Sequence, residues 1–309
     1  MNKSEDRILV FGHGQMAGFI PEFFGDVIIS RADITKPNEV ESEIEEIKPT
    51  VAINTAAKTS IDWCELNKSE SFAVNTLGPF NIWQACQKRS IFLCHFSSGC
   101  IFYSATYDQI YTEQSVPNPR CYYSWTKVWA ENLLGKSPQL LVLRPRMVIS
   151  SKVDRRNTLG KWLVYTHFIS DQNTLTVIED MMPVVKDLIA RRISGTFNIA
   201  NQGTVSPLEV AQVIKGEINP SLKIYETTLD EVNKNLVAKR CTTILSSEAL
   251  RTLGYTLPPA RESIQGVIRT FKQNLIKAGG LKSMDIVRKE TLEKYTITQK
   301  KATTYTGEN

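Results

Sequence analysis

At 309 residues the chain is long enough to bury a large core in one big or two modest domains, and 42% hydrophobic with 22% charged content describes an ordinary globular protein. Lys and Arg exceed Asp and Glu by only 37 to 32, which suits an anionic small molecule and excludes a strongly basic nucleic-acid surface as the expectation. No stretch approaches the roughly 20 apolar residues that cross a bilayer, so no membrane partner is expected.

Asn2–Arg7 is polar and the apolar stretch Ile8–Phe11 is too short for a signal peptide. Six cysteines, at 64, 86, 94, 100, 121 and 241, are scattered without a CxxC pair. They read as free thiols in a reducing, cytoplasmic setting, with no metal site.

Strand-length apolar runs alternate with amphipathic stretches through residues 1–150. Strands are predicted at Arg7–Phe11, Val27–Ile29, Val51–Asn54, Ile91–Phe96 and Leu140–Arg144, and helices near Gln15–Phe24, Asn38–Ile47, Glu70–Arg89 and Tyr122–Leu134. Continuous β-branched strands between helices imply an α/β fold, a Rossmann-type doubly wound parallel sheet covered on both faces. Residues 151–280 read mainly as a smaller C-terminal substrate domain, with a return of the chain to the sheet near 180–215. There the polar loop Asp154–Asn157 precedes a helix carrying Lys161, Trp162 and Tyr165, and a helix is predicted near Met182–Arg192. A strand follows at Thr196–Ala200, then a helix capped by Ser206 with Pro207 at its first position. Residues 281–309 read as a charged tail.

Strand one runs into Gly12-His13-Gly14-Gln15-Met16-Ala17-Gly18, a GxGxxxG pattern opening a helix. Such a turn lets backbone approach a pyrophosphate, while the helix N-terminus supplies amide donors. Arg31, just past strand two, is placed for the 2′-phosphate of NADP, and the acidic strand-tip residue that would hold an unphosphorylated ribose is missing. NADP(H) is therefore expected ahead of NAD(H), with Asp33 nearer the adenine edge.

Downstream, Tyr123 and Lys127 stand at i and i+4 on one helical face. An adjacent ammonium would lower the phenol pKa and let it exchange a proton near neutral pH. Ser98 closes the fourth strand, and Cys100 two residues on would share its face if the segment stays extended. As a small hydrophobe Cys100 has an equally ordinary use in packing.

These residues resemble the extended short-chain dehydrogenase/reductase family over roughly residues 7–270. Asn54-Thr55-Ala56-Ala57 looks like its NAA segment, Ala73-Val74-Asn75-Thr76-Leu77-Gly78 like its VNxxG helix, and Leu143-Arg144-Pro145 like its strand-end LRP. Ile61–Glu65, Gly99–Phe102 and Arg146–Ser151 are similar to stretches of the dTDP-4-dehydrorhamnose reductases, and above all of the bifunctional plant-type enzymes that make UDP-L-rhamnose from UDP-4-keto-6-deoxyglucose.

The resemblance implies a catalytic triad of Ser98, Tyr123 and Lys127. It implies cofactor contacts from Gly12, Gly14, Gln15, Met16, Gly18, Arg31, Asp33, Ile34, Ala56, Ala57, Lys58 and Asn75, with Tyr123 and Lys127. Thr59, Ser98, Cys100, Tyr122, Asn157 and Lys161 would face the nucleotide sugar. Cysteine at position 100, where simple 4-keto reductases of the group carry tyrosine, implies 3,5-epimerisation as well as reduction, with Lys161 as base and Lys152 as its substitute. It also implies a homodimer through the helices at Glu70–Arg89 and Tyr122–Leu134. A pure 4-keto reductase and a non-catalytic NADP-binding regulatory subunit are the alternatives.

Overall fold

The computed structural model describes residues 6–284 apart from 107, 155 and 235, so most of the expected tail at 281–309 lies outside the described residues. Among the described residues, six strands form the one large parallel sheet: β1 (Ile8–Phe11), β2 (Ile28–Ile29), β3 (Val51–Asn54), β4 (Phe92–Phe96), β5 (Leu140–Pro145) and β6 (Gly195–Ile199). Their order is β2-β1-β3-β4-β5-β6. Every residue of β1, β3, β4 and β5 is buried, as a sheet covered on both faces demands. Side chains alternate accordingly: Val10 and Ile53 enter one core, Leu9, Phe11 and Ala52 the other.

Helix α1 (Ile20–Phe24) and helix α5 (Ile178–Ala190) cover the first face. The opposite face is covered by α2 (Pro37–Ile47), α3 (Gly78–Gln87) and the C-terminal end of α4 (Tyr122–Leu134). A second core lies beyond the sheet, around Ile149, Trp162, Phe168, Val210, Ile264 and Phe271. It is built by α6 (Pro207–Glu217), α7 (Ala260–Lys277) and a short helix at Thr158–Trp162. Within 180–215, α5 and β6 return to the large sheet, whereas α6, inside the stretch expected to return, packs into the second core through Val210, Ala211 and Ile214. Its predicted cap is present as a full capping box, Ser206 and Glu209 each bonding the other's backbone.

Three local expectations change. The first helix starts late, as a 3-10 turn at Ala17–Phe19 followed by α1, because residues 12–16 form the glycine turn. The helix expected at Glu70–Arg89 is split into Lys68–Phe72, a π-turn at Ala73–Leu77 and α3, with an unforeseen helix before it at Ile61–Leu66. Beyond Ser98 the chain is not extended: Gly99–Ile101 form a 3-10 turn. A side chain at Gly99 would meet Leu245 Cδ1 at 2.6 Å, so a larger residue in the turn requires that leucine to shift.

Helix α4 is tied to the sheet by a nearly dry ion pair. Arg144 donates to Glu131 through Nε at 3.1 Å and Nη2 at 2.5 Å, and Ser97 Oγ donates to the same carboxylate. The two charged side chains are 7% and 12% exposed. Removing one partner strands a buried charge, so Glu131→Ala should destabilise the fold by about 3–5 kcal/mol. Urea unfolding followed by circular dichroism measures this, and a loss below about 1 kcal/mol would show the pair to be ordinary surface electrostatics.

Candidate active site

The chain leaves β1 toward β2 and comes back on the other side at β3, which opens a crevice at the strands' C-terminal ends. Gly12 sits in it at a φ of +118°. A Cβ there would lie 2.6 Å from Thr55 Oγ1 and 2.8 Å from Ala56 N, so only glycine lets the two strand ends approach this closely. Gly14 and Gly18 instead border open space.

A strap of later sequence holds the turn from above. Gln15 Nε2 donates to Ser150 Oγ at 3.0 Å, Lys152 Nζ to the Gly18 carbonyl at 2.8 Å, and Arg156 Nη1 to the His13 carbonyl at 2.7 Å. Met16 packs on the first core. Lys152, the substitute base, is thus spent on the glycine turn and on an ion pair with Glu22.

The tip of β2 corrects the sequence reading. An acid is present there after all, supplied by α2: the Glu43 carboxylate accepts from Ser30 Oγ and from the Arg31 and Ala32 amides. The Arg31 side chain is exposed beside a shallow hollow of about 480 Å³ that Glu43 also lines. Asp33 is committed to its own turn, accepting from Thr35 N and Oγ1, which holds its carboxyl below the usual range. Ile34 is buried, within 2.5 Å of where a Cβ on Gly78 would stand.

Ala56–Thr59 follows β3 as an irregular segment, and Asn75 fixes it. Fully buried in the π-turn, Asn75 accepts from the Lys58 amide at 2.7 Å and donates to the Lys58 carbonyl at 2.9 Å. Asn75 therefore shapes the segment expected beside the adenine. The Lys58 side chain lies outward over Trp63 and paired with Glu70, and Thr59 is exposed.

Ser98, Cys100, Tyr123 and Lys127 meet where β4 ends and α4 begins. Ser98 is extended and accepts from the Cys100 amide at 3.1 Å, and its hydroxyl lies beside the Tyr123 phenol. Lys127 is fully buried one turn along α4 and donates to the Phe96 carbonyl at 2.9 Å. Burial lowers its ammonium to about 8. Beneath it His95 is also buried, and desolvation followed by the Lys127 charge keeps its imidazole neutral.

For Tyr123 the expectation is overturned. Burial raises the phenol above its ordinary value, the neighbouring Cys100 adds to the rise, and Lys127 spends its proton on a backbone carbonyl rather than on the phenol. A phenol that keeps its proton is the form needed to donate to a ketone oxygen. Cys100 differs again: a hydrogen bond from Cys241 and the adjacent Arg146 guanidinium lower its thiol to about 5.

Other expected contacts are used elsewhere. Tyr122 stacks edge-on to Trp129 at 5.6 Å, under Lys68. Asn157 is fully buried, its amide donating to the Ser150 and Lys152 carbonyls at 2.7 Å while its oxygen caps the Thr158–Trp162 helix. That helix carries Lys161, half-buried, in its last turn.

Residues 22–273 match the family described as the RmlD substrate binding domain. The chain belongs to the RmlD substrate-binding family. Among curated relatives of this RmlD-type chain, a bifunctional dTDP-4-dehydrorhamnose 3,5-epimerase/dTDP-4-dehydrorhamnose reductase of Arabidopsis thaliana is 30% identical over 250 residues, 77% of this chain and 83% of that one. A trifunctional UDP-glucose 4,6-dehydratase/UDP-4-keto-6-deoxy-D-glucose 3,5-epimerase/UDP-4-keto-L-rhamnose-reductase of the same plant is 30% identical over 72% of this chain, which spans 35% of that protein. Among solved structures, the UDP-rhamnose synthase of Acanthamoeba polyphaga mimivirus superposes with a TM-score of 0.81 at 26% identity, covering 86% of this chain and all of the other.

Glu43, Arg146 and Cys241 were not anticipated. Glu43 sits mid-helix, and Arg146 and Cys241 are 95 residues apart, so no local pattern marks them. Because Lys127 loses its charge near pH 8, ketone reduction should fall as pH rises through about 8. The pH profile of kcat/KM reads this, and a plateau well past that value would place the ammonium outside catalysis.

Proposed function

We propose that this RmlD-type chain is an NADPH-dependent nucleotide-sugar enzyme that 3,5-epimerises a UDP- or dTDP-4-keto-6-deoxyhexose and reduces its C4 ketone, giving an L-rhamnose-type product. The observation that carries the reading is the cluster of Ser98, Tyr123 and Cys100 at one strand end, with Lys127 buried beneath it. The epimerase and reductase activities named for the Arabidopsis relatives support the same reaction pair, and the mimiviral relative is named for UDP-rhamnose synthesis.

The glycine turn fits a dinucleotide: Gly12 lets the ends of β1 and β3 close up, and Gly14 and Gly18 border the open space that a pyrophosphate approaches. Bound there, a nicotinamide nucleotide supplies the hydride for C4. Arg31 favours the 2′-phosphate form, in keeping with the NADP named for a dTDP-4-dehydrorhamnose reductase of Bacillus anthracis and the NADPH named for a Pseudomonas aeruginosa structure of the same fold. NAD(H) is the second choice, favoured by Glu43 at the β2 tip.

In this reading Tyr123 passes its proton to the C4 oxygen as negative charge develops there. Ser98 donates a hydrogen bond to the same oxygen. Lys127 holds the ribose and, through its charge, steadies the tyrosinate left behind. The same two hydroxyls stabilise the enolate formed when a C3 or C5 proton is lost, so one site serves both steps. Cys100 and Lys161 form the acid/base pair flanking the ring. The chain works as a homodimer through the faces of α3 and α4, where Trp125 and Leu133 are each 42% exposed.

A 4-keto reductase without epimerase activity is the second reading, favoured by the fold shared with a dTDP-4-dehydrorhamnose reductase of Clostridium acetobutylicum at TM-score 0.76. Incubation with NADPH and either UDP- or dTDP-4-keto-6-deoxyglucose in deuterium oxide separates the two. Deuterium at C3 and C5 that disappears in Cys100→Ala is expected. Hydride transfer without ring exchange leaves the reductase alone, and no NADPH oxidation with any ketone would return the chain to a regulatory role. Tyr123→Phe should cost roughly 10²–10⁴-fold in reduction rate.

A further inference from the structure

Arg146 leaves β5 through Met147, whose φ is +42°, a conformation that a residue with a side chain adopts only when its surroundings impose it. The guanidinium beside this kink faces inward, where Arg146 is 8% exposed. Its contacts are specific. Nε donates to Asn173 Oδ1 at 3.1 Å, Nη2 to the Cys241 carbonyl at 2.5 Å, and Nη1 to Cys100 Sγ at 2.9 Å. Among the described residues no carboxylate pairs with Arg146. A buried guanidinium cannot shed its proton, so its charge needs an anion close by. The groups around it are two carbonyl-type oxygens and two thiols, and only a thiol can become that anion.

We propose that Arg146 and Cys241 are positioning residues that keep Cys100 as a thiolate, Arg146 as its counter-ion and Cys241 as the neutral thiol packed beside it. The order between the two thiols follows from the geometry. Cys100 Sγ receives the short guanidinium bond, whereas Cys241 Sγ lies 3.8 Å from Nη2, which already bonds the Cys241 carbonyl. Cys100 is also next to the Ser98 hydroxyl. The same contacts drive the two thiols apart, Cys100 downward and Cys241 upward. The other ionisable groups facing Cys100 are Tyr123 and Cys121 at the start of α4, and burial keeps both protonated.

The consequence for chemistry rests on the epimerase reading. A thiolate accepts: the ring C–H bond breaks, S–H forms, and the electron pair moves into the enolate whose oxygen Ser98 and Tyr123 hold. Lys161 then gives up an N–H proton as the new C–H bond forms. This reverses the sequence-based order, in which Lys161 was the base. Exchange of the Cys100 and Lys161 protons with water restores the starting forms.

The ionisation is tested without any sugar. The pH dependence of iodoacetamide alkylation at Cys100, read by peptide mass spectrometry, should show a midpoint near pH 5 in the wild-type protein. Thiolate ultraviolet absorbance, taken as the difference from Cys100→Ala, should titrate with it. Arg146→Met should return the midpoint to the ordinary thiol range and slow alkylation at mildly acidic pH by about tenfold or more. Arg146→Lys should restore part of the shift, and Cys241→Ser should hold it better than Cys241→Ala. A wild-type midpoint at the ordinary thiol value overturns the proposal whatever the variants do, and so does an unchanged midpoint in a folded Arg146→Met. A low midpoint without deuterium exchange upholds the thiolate and refutes only the epimerase reading.

Discussion

Glu131 and Arg144 meet where helix α4 crosses the ends of β4 and β5, with Ser97 donating into the same carboxylate. Much of the site depends on that crossing. Tyr123 and Lys127 lie two turns and one turn before Glu131 on the same helix, and Ser97 immediately precedes Ser98. Anchoring the helix through two charges that have little water to turn to holds the phenol against Ser98 and the ammonium against the Phe96 carbonyl. A surface ion pair would exert too little force to do this.

The two halves of the site are built on different principles. The glycine crevice at β1 and β3 relies on absence: Gly12 has no side chain, so the two strand ends can come together. The catalytic end relies on crowding. Lys127, Tyr123, Cys100 and Arg146 are packed into one poorly solvated pocket, where each charge state depends on its neighbours. Burial alone would neutralise Lys127, Tyr123 and Cys100, but not the guanidinium of Arg146. Specific partners then decide which one carries charge: the Arg146 guanidinium donates to Cys100, and the Phe96 carbonyl accepts from Lys127. The strap at Ser150–Arg156 joins the halves, bonding the glycine turn while Asn157 caps the helix that bears Lys161.

Much of the fold was legible because its signals are local. Fully buried parallel strands must be apolar throughout, so β1, β3 and β4 stood out as short runs. Tyr123 and Lys127 stood out through helical spacing, and Ser206 through the chemistry of capping. Asn75 carried a readable motif whose part was not readable: its amide clamps the Lys58 backbone instead of facing outward. The π-turn that houses it has no distinct sequence signature, and the helix was therefore expected to run unbroken.

By itself the sequence determined the parallel sheet, the glycine turn and the Ser-Tyr-Lys set, because hydrophobic period, glycine placement and helical spacing act over a few residues. Only the tertiary structure decided the charges. Tyr123 keeps its proton because burial outweighs a lysine that bonds elsewhere. Glu43 reaches the β2 tip from the next helix. Cys100 gains Arg146 and Cys241, which lie 46 and 141 residues further along the chain. Electrostatic energies fall off with distance in space and rise as water is excluded, and neither quantity is written in sequence separation.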